Sequence, residues 1–321
     1  MRKVLASLLV AIISLAGTIG VDAAEYKKEI YVAQDGSGDF TTLTEAMEAI
    51  RAYMEYTVTV HIAPGVYKEK VIIPSWLTNV VFEGTDPETT IITWDDHANI
   101  NNMGTFRTYT VRIDGSDVTF KNLTIENNAP KLGQAVALHT EGDRLKFINC
   151  RLLGNQDTLF TGGKNTRLYF KDCYIEGTTD FIFGPATAYF KDCTIYSKSN
   201  SYITAASTPE SVPVGYVFDH CKLTAAPEAT TVYLGRPWRP YAHTVFLECE
   251  MGSHIRPEGW HNWNNKDNEL TARYGEWGCT GPGAVQDGRV SWRRDPSAAD
   301  AATLRDLRHV YGLDLNWNPE D

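Results

Sequence analysis

Two aspartates hold equivalent positions in this sequence. Asp157 lies seven residues after Cys150, and Asp180 lies seven residues after Cys173. If the segments that carry them stack as successive turns of a repeat, their Cα atoms lie about 5 Å apart. Two carboxyl groups at that separation resist joint ionisation, so the apparent pKa of one rises. The result would be a neutral acid beside an anionic nucleophile, a pair suited to covalent catalysis.

Uncharged donors and one cation occur in neighbouring segments. Gln156 directly precedes Asp157, and Gln134 lies in the segment before it. Their amide N–H groups could stabilise an oxyanion without adding charge. Arg236 could pair with a carboxylate and hold it ionised. The same segments also supply flat apolar side chains: Phe160, Phe181, Phe183 and Trp238.

The aspartates also have a purely structural interpretation. Asp residues form turns readily, and a coiled repeat needs a turn wherever its chain bends. Asn200 and Glu228 occupy the same offset from later repeat cysteines, which supports this interpretation. Spacing alone therefore leaves a catalytic pair and two turn residues equally open.

A repeated motif predicts the fold that would bring these residues together. Six segments recur every 20 to 28 residues, which is the signature of a solenoid. That length accommodates about three short strands but no full crossover helix, so we expect an all-β, right-handed parallel β-helix. Capped apolar patterns predict short helices at 41–50, covering one open end, and at 298–310, near the other. The six segments are Phe120-Lys-Asn-Leu123, Phe147-Ile-Asn-Cys150, Phe170-Lys-Asp-Cys173, Phe190-Lys-Asp-Cys193, Phe218-Asp-His-Cys221 and Phe246-Leu-Glu-Cys249.

The N-terminus has the features of an export signal. Arg2 and Lys3 precede an apolar run from Val4 to Val21, and small residues follow at Val21 and Ala23. This pattern predicts a signal peptide over 1–23 and a single β-helix domain over 24–321, with a secreted or periplasmic destination. An uncleaved membrane anchor is the alternative; no other stretch is long and apolar enough to span a membrane. The formal charge of −10 argues against nucleic acid as a partner.

The cysteines suggest buried packing more than metal binding. Five of the six occupy one position of the repeat, where Leu123 stands in the first segment. Interchange with leucine indicates a buried apolar site, although adjacent turns lie close enough for one bridge, Cys173–Cys193. The spacing of cysteine and histidine shows no zinc pattern, and we expect neither metal nor cofactor.

Several ordered motifs resemble the pectin methylesterase family over nearly the whole mature chain. Any one of these motifs would be weak, whereas their order and spacing are specific. The opening segment Ala33-Gln-Asp-Gly-Ser-Gly-Asp-Phe40 is similar to that of the family, as is Pro64-Gly-Val-Tyr-Lys-Glu69. The further matches are Gln134-Ala-Val-Ala-Leu138, Gly154-Asn-Gln-Asp-Thr-Leu159, Asp180-Phe-Ile-Phe-Gly184, Leu234-Gly-Arg-Pro-Trp238 and Gly281-Pro-Gly-Ala284.

The resemblance implies a role for each matched residue. Asp180 matches the nucleophile that attacks a galacturonate methyl ester, and Asp157 the general acid and base. Gln134 and Gln156 match the oxyanion donors, and Arg236 the cation that keeps Asp180 anionic. The implied substrate is methylesterified homogalacturonan (pectin), acted on by a monomer. Residues matching substrate contacts are Thr110, Phe160, Phe183 and Trp238.

Three departures from the family pattern, at Pro185, Ala206 and His243, bear on substrate preference. A pectate lyase or polygalacturonase remains an alternative on this fold, although their sites use other acid arrangements. An esterase or thioesterase acting on another substrate is a second alternative, because fold and dyad do not fix the leaving group. A glycan-binding protein without catalysis is a third. Absence of a Gly-x-Ser-x-Gly motif argues against a serine hydrolase.

Overall fold

The chain winds into a coil of short strands. The computed structural model describes residues 26–312 and 317–320, and the predicted signal peptide, 1–23, lies outside the described residues. Successive turns contribute strands to three parallel sheets, in which equivalent strands pair side by side. Crossovers between parallel strands of one sheet are right-handed. The right-handed parallel β-helix expected from the repeat is confirmed.

The three sheets run the length of the coil. Within the described residues, the ten-stranded sheet contains β1 (Glu29–Val32), β2 (Val58–Ile62), β5 (Val80–Gly84), β8 (Val118–Lys121), β11 (Leu145–Ile148), β14 (Arg167–Lys171), β17 (Thr187–Lys191), β20 (Tyr216–Asp219), β23 (His243–Leu247) and β25 (Arg273–Trp277). The eight-stranded sheet contains β3 (Gly65–Lys68), β6 (Thr90–Trp94), β9 (Thr124–Asn127), β12 (Arg151–Leu153), β15 (Tyr174–Gly177), β18 (Thr194–Ser197), β21 (Lys222–Ala225) and β24 (Glu250–Met251). The seven-stranded sheet contains β4 (Val71–Ile73), β7 (Val111–Ile113), β10 (Leu138–Thr140), β13 (Leu159–Thr161), β16 (Ile182–Gly184), β19 (Tyr202–Ala206) and β22 (Tyr233–Gly235).

The repeat phenylalanines form a ladder along the core. Phe147 stacks on Phe170 with ring centroids 4.7 Å apart and an interplanar angle of 9°. Each such ring is almost completely buried, and burial of one phenylalanine stabilises the fold by about 1.5–3 kcal/mol. The ladder therefore favours one register of the turns. Its other rings are Phe82, Phe120, Phe190, Phe218 and Phe246.

The residue before each repeat Leu or Cys turns the chain from the ten-stranded to the eight-stranded sheet. Asn122, Asn149, Asp172 and Asp192 all adopt left-handed backbone angles, with φ between 50° and 54°. Asn and Asp tolerate this region better than other residues with a Cβ, which explains four of the six residues at this position; His220 and Glu248 adopt it as well, with φ of 52° and 49°.

The predicted N-terminal helix is present as α1 (Leu43–Glu48). The Thr42 hydroxyl accepts a hydrogen bond from the Glu45 N–H, as the sequence pattern predicted. Buried Leu43 and Met47 join the core cluster that includes the first strands. A second helix, α2 (Asp267–Thr271), lies between β24 and β25 and was not predicted.

The predicted C-terminal helix is two helices, α3 (Ala298–Arg305) and α4 (Leu307–Tyr311). Asp306 separates them because its backbone is extended, and its side chain caps α4 by accepting from the Arg308 N–H. Their apolar residues pack with Tyr169, Tyr189 and Val217 of the ten-stranded sheet, so the helices lie along its outer face. Within 26–312 and 317–320, no helix has the length and apolarity to cross a bilayer.

The bridge considered between Cys173 and Cys193 is absent, and all six cysteines are free. In-register turns hold equivalent Cβ atoms about 4.8 Å apart, whereas a disulfide requires about 3.5–4.5 Å. Five of the six thiols instead face a backbone carbonyl of the preceding turn, as Cys173 Sγ does at 3.3 Å from the Phe147 oxygen, whereas Cys150 Sγ lies 3.5 Å from the Ile148 oxygen of its own turn. The interpretation of these cysteines as small buried apolar residues fits this packing.

Thiol titration tests this packing. We expect six reactive thiols after unfolding without reductant, and at most one, the half-buried Cys279, in the folded protein. Burial protects the other five, because their thiols are shielded from water and from the reagent. The measurement is reaction with an aromatic disulfide reagent before and after denaturation. Four thiols in the unfolded, unreduced protein would show that a bridge forms.

Candidate active site

The two aspartates lie on equivalent turns that enter the seven-stranded sheet. Leu159 and Ile182, each two residues beyond its aspartate, are register partners in β13 and β16. Asp157 and Asp180 both have left-handed backbones, with φ of 67° and 50°. The structure therefore places them one turn apart, as the spacing predicted.

Two glycines allow the chain to turn sharply just before each aspartate. Gly154 and Gly177 each lie three residues before an aspartate. A Cβ on Gly177 would overlap the Cβ of Phe181, and one on Gly154 would approach the Thr158 hydroxyl to 2.6 Å. Any larger residue would displace the backbone that aims the following carboxylate.

Arg236 binds Asp180 through two hydrogen bonds. It follows β22, two strands along the seven-stranded sheet from β16. Its Nε donates to Asp180 Oδ1 at 2.9 Å, and its Nη2 donates to Oδ2 at 2.6 Å. The guanidinium carbon lies 3.9 Å from the ring centroid of Tyr202 and 3.8 Å from that of Trp263. A planar cation held in this way matches the fork geometry of a carboxylate.

Burial and charge separate the two carboxyl groups. Asp157 is 8% exposed and Asp180 is 7% exposed. Burial raises the pKa of Asp157 well above its ordinary value, and the negative charge of Asp180 raises it further. Burial also raises the pKa of Asp180, but the hydrogen bonds and charge of Arg236 oppose that rise. A protonated Asp157 beside an ionised Asp180 is the favoured state.

A cleft of about 320 Å³ contains both acids. Gln134 and Gln156 are half-buried at its wall, and neither side-chain amide has a hydrogen-bond partner among the described residues. Their N–H groups are thus available to a ligand. The residues lining the cleft are Thr105, Phe106, Gln134, Gln156, Asp157, Asp180, Phe183, Ala205, Arg236, Trp238 and Trp263.

Of the four predicted aromatic residues, two line the cleft and two pack behind it. Phe183 and Trp238 line the cleft, with ring centroids 5.8 Å apart in an edge contact. Phe160 does not line it; its ring packs against Phe183 and Phe106 at 4.9 Å from each. Phe181 belongs to the buried core together with its neighbour Ile182, because it lies directly before β16 and not on the alternating strand itself.

Thr110 does not fit its predicted substrate contact. The residue is completely buried, and its hydroxyl donates to the Glu126 carbonyl at 2.7 Å. Two departures from the family pattern, Ala206 and His243, also lie outside the cleft lining. Ala206 belongs to the core, and His243 is buried in β23, where its Nδ1 accepts from the Gly215 N–H.

Two irregular segments supply lining residues that the sequence analysis missed. Thr105 and Phe106 lie between β6 and β7, whereas Trp263 lies between β24 and β25. Both segments fall outside the repeat, so periodicity gave no signal for them. Within the described ranges, no group of three or more His, Cys, Asp or Glu side chains could hold a metal ion.

Replacing Asp157 by asparagine should stabilise the protein near neutral pH. The folded state holds the pKa of this carboxyl above its ordinary 3.8, so its ionisation costs the folded state more than the unfolded state. The free energy of unfolding of Asp157→Asn should therefore exceed that of the unmodified protein by roughly 1–2 kcal/mol at pH 7. The difference should disappear below about pH 4.

Urea unfolding at several pH values measures this difference. Asp180→Asn is the matched control, because it leaves Arg236 without its counter-ion and should lower stability by roughly 1–3 kcal/mol. Equal stability of Asp157→Asn and the unmodified protein at pH 7 would contradict the raised pKa.

Comparison with known proteins places this chain in a family. The Pectinesterase family model matches residues 29–305. Pectinesterase 31 of Arabidopsis thaliana is 39% identical over 277 residues, which cover 83% of this chain and 87% of the relative. The solved pectin methylesterase from carrot is 32% identical, with a TM-score of 0.81 over 85% of this chain and 89% of that one. A solved pectin methylesterase in complex with a hexasaccharide is 28% identical, with a TM-score of 0.78 over 90% and 98%. The chain therefore belongs to the pectinesterase family.

Proposed function

We propose that this chain hydrolyses the methyl esters of pectin through nucleophilic attack by Asp180. The observation that supports this most strongly is the asymmetry of the carboxyl pair. Arg236 donates two hydrogen bonds to Asp180, whereas Asp157 has no ion-pair partner among the described residues. One acid is prepared to attack and the other to donate a proton.

The first half of the reaction forms an acyl-enzyme. A carboxylate oxygen of Asp180 attacks the ester carbonyl carbon, and the carbonyl oxygen becomes an oxyanion. Gln134 and Gln156 donate amide N–H groups to that oxyanion. As the tetrahedral intermediate collapses, Asp157 gives its proton to the methoxy oxygen, and methanol leaves. The galacturonyl group is then joined to Asp180 as an anhydride.

The second half restores the enzyme. Asp157, now a carboxylate, accepts a proton from water as the water oxygen attacks the galacturonyl carbon. The same amides stabilise the second oxyanion, and the bond to Asp180 breaks. The product leaves as galacturonic acid, which loses its proton to solvent, while Asp180 is ionised again and Asp157 is protonated again. The sum of both steps is one ester and one water giving one acid and one methanol.

The substrate proposal rests on the form of the cleft and on relatives. Phe183, Trp238 and Trp263 supply aromatic faces, which pack well against sugar rings. A solved relative binds a hexasaccharide, which supports an oligosaccharide chain as the ligand here. We further propose a monomer that is exported after removal of residues 1–23 and acts on methylesterified homogalacturonan.

Methanol release from highly methylated pectin tests the reaction and the dyad. We expect the unmodified mature protein to release methanol, and Asp180→Ala and Asp157→Ala each to lose at least about a thousandfold in kcat. Loss of either acid removes a covalent or proton-transfer step, and folding must be checked because both side chains are buried. Circular dichroism of each variant controls for folding.

The same assay separates the alternatives. New reducing ends or a fall in viscosity would indicate chain cleavage by a lyase or polygalacturonase. Methanol release that survives Asp180→Ala would reject Asp180 as nucleophile. A folded protein that releases no methanol from pectin would favour another ester substrate, or binding without catalysis.

Removal of one amide donor should slow the reaction without moving its pH profile. In Gln156→Leu the oxyanion loses a neutral hydrogen bond, so kcat should fall roughly 10²–10³-fold. The KM should change little, because the donor acts on charge that develops during the reaction. Initial rates across pH measure both effects, with Gln134→Leu as the parallel variant. A kcat near that of the unmodified protein in both variants would place the oxyanion donors elsewhere.

A further inference from the structure

The guanidinium of Arg236 is restrained on both of its faces. The rings of Tyr202 and Trp263 approach its central carbon to 3.9 and 3.8 Å. Two centroids this close to one planar group must lie on opposite sides of it. We propose that Tyr202 is a positioning residue for ester hydrolysis, because its ring fixes the guanidinium plane of Arg236 against Asp180. This inference rests on the proposed roles of Asp180 and Arg236.

Hydrogen bonds alone leave the arginine poorly restrained. Both side-chain hydrogen bonds of Arg236 within the described residues go to Asp180, its functional partner. Among the described residues, no backbone carbonyl or second carboxylate accepts a hydrogen bond from Nη1, the third guanidinium nitrogen. A long, flexible side chain would otherwise exchange its carboxylate for water, so the ring contacts supply the missing restraint.

Tyr202 contacts both members of the ion pair. Its backbone carbonyl accepts the Asp180 N–H at 2.9 Å, while its ring covers Arg236. It does not line the cleft, unlike Trp263, whose ring is available to a substrate. An effect of changing the Tyr202 ring must therefore act through Arg236.

The Tyr202 ring belongs to an aromatic stack that continues into the next turn. Tyr233, its register partner, stacks on it with centroids 5.3 Å apart and an interplanar angle of 11°. His261 packs against both rings. The other cation on this stack, Arg256, lies over Tyr233 at 4.6 Å. Tyr233 thus offers a matched control: it is a similar ring in the same stack, and it covers Arg256 instead of Arg236.

Loss of the Tyr202 ring should change the ionisation of the nucleophile. A mobile, hydrated Arg236 opposes the burial of Asp180 less effectively, so the pKa of Asp180 rises. A smaller fraction of Asp180 is then ionised at a given pH. The acidic limb of the rate profile moves toward higher pH, and the attacking carboxylate is less well oriented.

The experiment measures kcat, KM and the pH profile of methanol release for Tyr202→Leu, Tyr202→Phe and Tyr233→Leu. We expect Tyr202→Leu to lose roughly tenfold in kcat at neutral pH, with KM within a factor of about two and the acidic limb shifted upward. Tyr202→Phe keeps the ring and should match the unmodified protein. Tyr233→Leu should keep its kcat and its pH profile.

Several outcomes would overturn the proposal. One is an unchanged rate and pH profile in Tyr202→Leu; another is an equal loss in Tyr202→Phe, which would implicate the hydroxyl. Loss of rate with no shift of the acidic limb would indicate general loosening of the fold. If Tyr202→Leu does not fold, Tyr202→Met replaces it in the same comparison. Full methanol release by Asp180→Ala would instead reject the proposed function, independently of the Tyr202 result.

Discussion

In-register stacking of the parallel turns is the constraint on which the rest of this molecule depends. Stacking places equivalent residues of successive turns about 4.8 Å apart. Whether those neighbours attract or repel one another then depends on the type of side chain. Phenylalanine rings at this spacing stack and stabilise the core, as Phe147 and Phe170 do. Thiols at the same spacing remain too far apart to bridge. Two ionised carboxylates repel one another, so the charge of Asp180 opposes ionisation of Asp157.

The active site is therefore a locally unfavourable part of a favourable repeat. Both aspartates are buried and adopt left-handed backbones. Each feature costs free energy, and the stacked apolar core on the inner side of the same turns offsets that cost. Gly154 and Gly177 limit the strain by removing the Cβ atoms that would prevent so sharp a turn. The fold can hold the carboxyl groups in place because neighbouring turns leave the backbone little freedom.

Periodicity explains both what the sequence could predict and what it could not. The repeat placed Asp157 beside Asp180 because their offset from Cys150 and Cys173 is the same. It could not place Phe106 or Trp263, since both belong to irregular segments whose paths depend on packing. The burial of Thr110 was equally hidden, because a threonine beside a strand has the same local sequence whether its hydroxyl faces a ligand or a carbonyl. The C-terminal helices pack on apolar residues of the outer face of the ten-stranded sheet. Such residues also occur in strands that no helix covers, so the sequence did not indicate this packing.

The repeat makes the two carboxyl sites alike, so something outside it must make them different. Arg236 does so from 56 residues beyond Asp180 in the chain. It reaches back across the intervening turn and binds one carboxylate, and its charge lowers the pKa of Asp180 against the effect of burial. Arg236 lowers the pKa of Asp157 less, because it acts on that carboxyl through charge alone, without a hydrogen bond. The side chain of the intervening turn that Arg236 must pass is Tyr202, and its ring is flat, apolar and favourable to a cation. The different pKa values of Asp157 and Asp180 thus arise from Arg236, which is distant in the chain, and from the Tyr202 ring against which Arg236 packs.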